Sequence, residues 1–143
     1  MNLLMDILEV GLYSLMGVIL MLAGNFFIDL IVPCHFPTEI KKDNRAVGWV
    51  CAGSYIAIGT IMKAAVMSPT ISKVEEKLLE GVTSSALYFV VGVIFLIVGY
   101  LVVLLFNKKY NLNEEIGKGN ASAGIMIFGI FVGLAMIISG VIM

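Results

Sequence analysis

Four long apolar stretches, 11–32, 46–67, 86–106 and 121–143, set what this chain can fold into. Each has 21 to 23 residues. As helices rising about 1.5 Å per residue they reach roughly 32–35 Å, enough to cross a hydrocarbon core of about 30 Å. Lipid offers the backbone no water to bond, so a spanning segment must close its own hydrogen bonds as a helix or join a closed barrel. Barrel strands need alternating polar and apolar residues, and the run 90–105 does not alternate. The expected fold is therefore an all-α membrane protein with four transmembrane helices. Composition excludes the alternatives. Only 13% of the 143 residues are charged and 60% are hydrophobic, against about 25% charged in a soluble domain. A net charge of −1 gives no basic surface for nucleic acid.

No Lys or Arg precedes the first stretch, whereas Asp6 and Glu9 do. It is expected to remain as a span rather than be cleaved as a signal. Of nine basic residues, Lys41, Lys42, Arg45, Lys108, Lys109 and Lys118 belong to the first and third connections. Lys63, Lys73 and Lys77 belong to the other side. The excess of Lys and Arg in short loops stays cytoplasmic, so both termini are expected outside. The connection 69–85 carries Ser72 and Glu75 at capping-box spacing, Val74 and Leu78 on one helical face, and Gly81 as a stop. A short amphipathic helix outside the membrane is expected there.

The chain repeats itself. Leu12-Tyr13 and Gly17 to Gly24 reappear 75 residues on as Leu87-Tyr88 and Gly92 to Gly99. Glu39-Ile40-Lys41-Lys42-Asp43-Asn44 reappears 76 residues on as Glu115-Ile116-Gly117-Lys118-Gly119-Asn120. Each copy is a two-helix hairpin (1–68 and 86–143) and both enter the membrane in the same direction. Parallel repeats of this kind are related by an axis along the membrane normal. Gly53, Ala57, Thr60 and Ala64 share one face of the second helix, and Gly129, Gly133, Met136 and Gly140 are their counterparts. Small residues so spaced let helices approach closely. They are expected to pack, with Gly17, Gly24, Gly92 and Gly99 on the first helices, and to hold a homo-oligomer together.

The loop motifs also carry a resemblance. Pro37-Thr38-Glu39-Ile40, Asn44-Arg45-Ala46-Val47-Gly48 and the run from Glu115 to Gly124 resemble the bacterial inner-membrane family of domain of unknown function 350. Arg45 departs from it, standing where an apolar residue is more usual. The resemblance implies a polytopic protein from envelope-stress gene neighbourhoods, beside peripheral membrane proteins and ligases. It implies no catalytic residue.

Candidate chemistry is sparse. Asp29 is the only carboxylate well inside an apolar stretch, and such residues are functional suspects. It lies about 5 Å from the helix end, near enough to reach headgroups or pair with Arg45. With Asn25 one turn deeper, it also marks one face of the first helix. In an oligomer that face would line a polar path for cations or protons. Asn44 and Asn120 suit helix N-caps. Alternatively the paired motifs Glu39-Ile40…Asn44 and Glu115-Ile116…Asn120 receive a peripheral cytoplasmic protein. Lys41, Lys42, Lys108 and Lys109 are placed to touch anionic lipid headgroups. One histidine and two cysteines are too few for a protein metal site, and no nucleophile–base set presents itself. No cofactor, metal or enzymatic activity is expected. The leading expectation is an oligomeric structural or adaptor protein, with a small ion channel or transporter component as the alternative.

Overall fold

The computed structural model describes residues 3–68 and 78–143. Six α-helices form among them: α1 (Leu3–Ile31), α2 (Phe36–Lys41), α3 (Arg45–Val66), α4 (Leu78–Phe106), α5 (Leu112–Gly117) and α6 (Ala121–Ile142). A single 3-10 turn, Lys108–Tyr110, precedes α5. Helices α1, α3, α4 and α6 are each long and apolar enough to cross a membrane. The element series runs twice: a long helix, a short helix of 6 residues and a span of 22 residues in each half.

Two helices begin earlier than apolarity implies. α1 is already helical at Leu3, upstream of residue 11, and α4 at Leu78, upstream of residue 86. At 29 residues each reaches about 44 Å, longer than the hydrocarbon layer. Their first described turns carry the acidic residues Asp6 and Glu80. Gly81 lies inside α4 and stops nothing, because a lone glycine only weakens a helix that packing sustains. The capping-box pair Ser72 and Glu75, with Val74, lies outside the described residues.

α3 is the central helix. Eleven of its residues are buried, among them Ala46, Val50, Gly53, Ala57 and Ile61. α1 buries only Gly24 and Ile28, and so lies at the periphery. Within each half the two spans meet through the same contact. A Cβ on Gly24 would touch Ile58 at 3.1 Å, and one on Gly99 would touch Leu134 at 2.9 Å. Each glycine accepts a branched side chain from the facing helix, which a larger residue would push away.

The seam between the halves is α3 against α6. A Cβ added to Gly53 would lie 2.7 Å from the Cα of Phe128, and one on Gly124 would lie 2.7 Å from the Cα of Ala46. Backbone here rests on backbone. Trp49 closes the seam edge-on to Phe128, with ring centroids 5.6 Å apart. α4 joins both through Gly92, whose Cβ would meet Ile61 of α3 at 2.5 Å and Ile142 of α6 at 3.3 Å.

Within one chain the two small-residue faces differ in what they meet. Gly53, Ala57 and Ala64 are buried. Their counterparts Gly129, Gly133 and Gly140 have nothing within 4 Å of an added Cβ, and neither has Gly17. The reason is geometric: the halves do not meet through equivalent faces. α3 offers its small-residue face, whereas α6 answers with Gly124, Ile127 and Phe131. The halves are not related by a two-fold axis that would bury both faces alike.

The connecting turns explain the repeated motif. In the first, Asp43 N donates to the Ile40 carbonyl at 3.1 Å and Asn44 N to the Glu39 carbonyl at 3.0 Å. In the second, Gly119 N donates to Ile116 at 3.0 Å and Asn120 N to Glu115 at 3.0 Å. This paired bonding ends a helix through one left-handed residue. Gly119 takes that place with φ +79° and Asp43 takes it with φ +59°. An L-residue is strained there and glycine is not. Asp43→Gly is therefore expected to raise stability by about 1 kcal/mol, read as a shift in the unfolding midpoint; a lower midpoint would contradict the assignment.

Candidate functional site

A cluster of hydrogen-bonded polar side chains lies at the end of the bundle where the two turns meet. The turns are neighbours because Asn44 Nδ2 donates to the Ile116 carbonyl at 3.1 Å. Both hairpins therefore have their turns at the same end, and α3 and α6 leave it side by side.

Each turn is tied by one carboxylate and one asparagine. Asn44 Nδ2 donates to Glu39 at 2.9 Å, and Asn120 Nδ2 donates to Glu115 at 2.7 Å. The same asparagines cap the following spans: Asn44 Oδ1 accepts from Val47 N at 3.2 Å, and Asn120 Oδ1 from Ser122 N at 3.1 Å. Lys42 bonds Glu39 at 2.9 Å, and Lys118 bonds Glu115 at 3.2 Å. The spacing Glu-Ile-x-Lys-x-Asn is thus what one helix end and the next helix start require in six residues. The two isoleucines differ: Ile116 is 0% exposed, whereas Ile40 is 48% exposed.

These bonds hold the Glu39 carboxyl below the usual carboxylate range, chiefly through Asn44 and then Lys42. Asn120 and then Lys118 do the same for Glu115. A depressed carboxyl contributes stability above its unfolded value of about 4.3 and loses it as pH falls through the lower folded value. Protection of the amides in both turns, measured against the intrinsic exchange rate at each pH, is expected to hold above the ordinary carboxylate range and to fall as pH drops below it. Glu39→Gln with Glu115→Gln should remove that acid step; an unchanged step would place the titration elsewhere.

Asp29 serves α2. Its Oδ1 accepts from the Phe36 amide at 2.6 Å and its Oδ2 bonds His35 Nδ1 at 2.9 Å. The Asp29 side chain is only 8% exposed. His35, the N-cap residue of α2, makes no side-chain cap bond. Asp29 supplies the cap from the last turn of α1, its charge facing the positive, N-terminal end of α2. The expected pairing of Asp29 with Arg45 is therefore corrected. Arg45 is exposed and joins no ion pair among the described residues. Adjacent Cys34 is half-buried; burial, then the charges of Glu39 and Asp29, push its thiol up to about 11. It stays protonated and unreactive at neutral pH.

Asn25 is also occupied. It accepts from Ser54 Oγ at 2.5 Å, and that hydroxyl also lies 2.8 Å from the Cys51 carbonyl. Ser54 is fully buried. The sequence signal for this partner was a lone serine on the helix that α1 must cover, one polar group calling for another in an apolar layer. Lys41, Lys42, Lys108 and Lys109 are exposed around the turns. Among the described residues no three His, Cys, Asp or Glu side chains are grouped to hold a metal ion.

The family model of Domain of Unknown Function (DUF350) matches residues 2–142. The chain belongs to the DUF350 family. The matched region includes both turns and all four spans, so the likeness first carried by the loop motifs extends along nearly the whole DUF350 chain. Neither a curated protein nor a solved structure matches it.

Proposed function

We propose that this DUF350 chain is a non-enzymatic scaffold of the bacterial inner membrane, with both termini outside. It works as an oligomer that holds a rigid, basic-edged platform at the cytoplasmic surface for a peripheral partner in envelope maintenance. The single observation that carries this reading is the tie between the two turns. Asn44 closes its own turn on Glu39, caps α3 and reaches the second turn at Ile116. A surface so braced presents fixed positions rather than a loose loop, which lowers the ordering cost of binding. Ile40, Tyr110 and the exposed lysines are the groups it leaves outward. Anionic headgroups favour the same lysines, about 1 kcal/mol each. Asn25 and Asp29, the candidates for an ion path, spend their oxygens on Ser54, His35 and Phe36.

The test is retention of a peripheral protein on native membranes, compared between the wild type and Lys41→Glu with Lys109→Glu. Loss of a specific protein with the variant is expected, together with no ion flux from purified protein in liposomes. Flux that Asp29→Asn abolishes would overturn the scaffold reading in favour of a channel.

A further inference from the structure

The halves of this chain meet through unlike faces, and the second copy of each face meets no partner among the described residues. Residues 75 apart in α1 and α4, or 76 apart in the turns and in α3 and α6, occupy the same place in the two halves. Every contact across the seam can therefore be translated. Gly124 on Ala46 becomes Gly48 on Ser122; Phe128 on Gly53 becomes Ala52 on Gly129; Gly92 on Ile61 becomes Gly17 on Ile137. A Cβ on Gly48, Gly129 or Gly17 meets nothing within 4 Å, and Ile137 is 67% exposed. The polar tie translates too: Asn44 donates to the Ile116 carbonyl, and the counterpart would be Asn120 donating to Ile40. Ile116 is buried by the seam and Ile40 is not.

A groove supports the same reading. Beside α4 and α6 lies an apolar space of about 750 Å³ lined by Tyr88, Gly92, Phe95, Leu134, Ile137 and Ile138. The matching positions on α3 (Ile58, Ile61 and Met62) are buried, and α4 lies against them with Phe89, Val93 and Leu96 buried. The helix equivalent to α4 is α1, whose corresponding Ser14 and Val18 are exposed.

We propose that the occupant of this second surface is another copy of the chain, placed head to tail. The α1–α3 half of one copy would seat on the α4–α6 half of the next, as the second half seats on the first within a chain. Such an interface is heterologous, and successive copies close into a ring when the rotation allows it. The membrane holds every copy at one depth, which removes the translation a filament needs. The proposal rests on the scaffold reading only in taking the chain to self-associate.

Cysteine pairing in membranes tests it, in a chain with Cys34 and Cys51 replaced by alanine. Gly48→Cys and Ser122→Cys together are expected to give a ladder of oxidised oligomers. Mixed single variants should give only a Gly48→Cys/Ser122→Cys pair. Efficient self-pairing of either single variant would mean a two-fold interface and overturn the proposal, as would no pairing at all in a folded chain. Should the cysteine-free chain fail to fold, native mass spectrometry of Gly133→Leu in the unaltered background decides. A shift from oligomer to monomer is expected, and an unchanged oligomer overturns the proposal. Head-to-tail pairing without lysine-dependent retention of a partner would sink the scaffold reading alone.

Discussion

Gly124→Leu is expected to separate the halves of the chain, costing about 3 kcal/mol. A Cβ at Gly124 already falls 2.7 Å from the Ala46 Cα, with the Ala46 carbonyl closer still. A flexible side chain gives way to an intruder, but a helix backbone moves only as a whole. Gly53→Leu should behave alike, since its Cβ meets the Phe128 Cα at 2.7 Å. Gly129→Leu, with nothing within 4 Å, should change the stability of the isolated chain by no more than about 0.5 kcal/mol. Unfolding in mixed detergent micelles measures the contrast. Equal losses at Gly124 and Gly129 would mean that the halves meet through equivalent faces after all.

Asp29→Ala carries the second large effect. It leaves the Phe36 amide and His35 without their acceptor at the start of α2. Bonds to a charged group are worth about 1.5–3 kcal/mol, and a part-buried amide left without an acceptor adds a desolvation penalty. A loss of about 2–3 kcal/mol is expected, with faster exchange of the Phe36 amide. Asp29→Asn keeps one side-chain oxygen and should lose about half as much. If Asp29→Ala left the Phe36 amide protected, the remote cap would be wrong. Loss of ion flux without loss of stability would instead return Asp29 to the role its place in an apolar helix first implied.

Much of this architecture could be read from the residues, and the failures have physical causes. The four spans follow from hydropathy because lipid imposes one demand on every spanning residue. The turns were legible because Glu39…Asn44 and Glu115…Asn120 are local devices whose partners lie within six residues. Apolarity reports depth in the membrane, not where a helix starts, so α1 and α4 run past the stretches that marked them. Arg45 suits Asp29 as the residue that opens the next helix on the same side, but the nearer, stronger demand is an uncapped helix at Phe36. The choice of Gly53 over Gly129 as the internal face was invisible, because a duplicated pattern offers both equally. Only the way one half seats on the other distinguishes them.

Sidedness of the turns bears on everything built from the seam, because α3 and α6 run parallel from one end of the bundle only if both hairpins point the same way. Lys41→Cys and Lys109→Cys, placed singly in a cysteine-free chain, are to be treated with a membrane-impermeant maleimide in sealed vesicles of known orientation. Both positions are expected to react from the cytoplasmic face and to be shielded from the other. Reaction from opposite faces would contradict the parallel hairpins, and with them the seam and its repetition between chains.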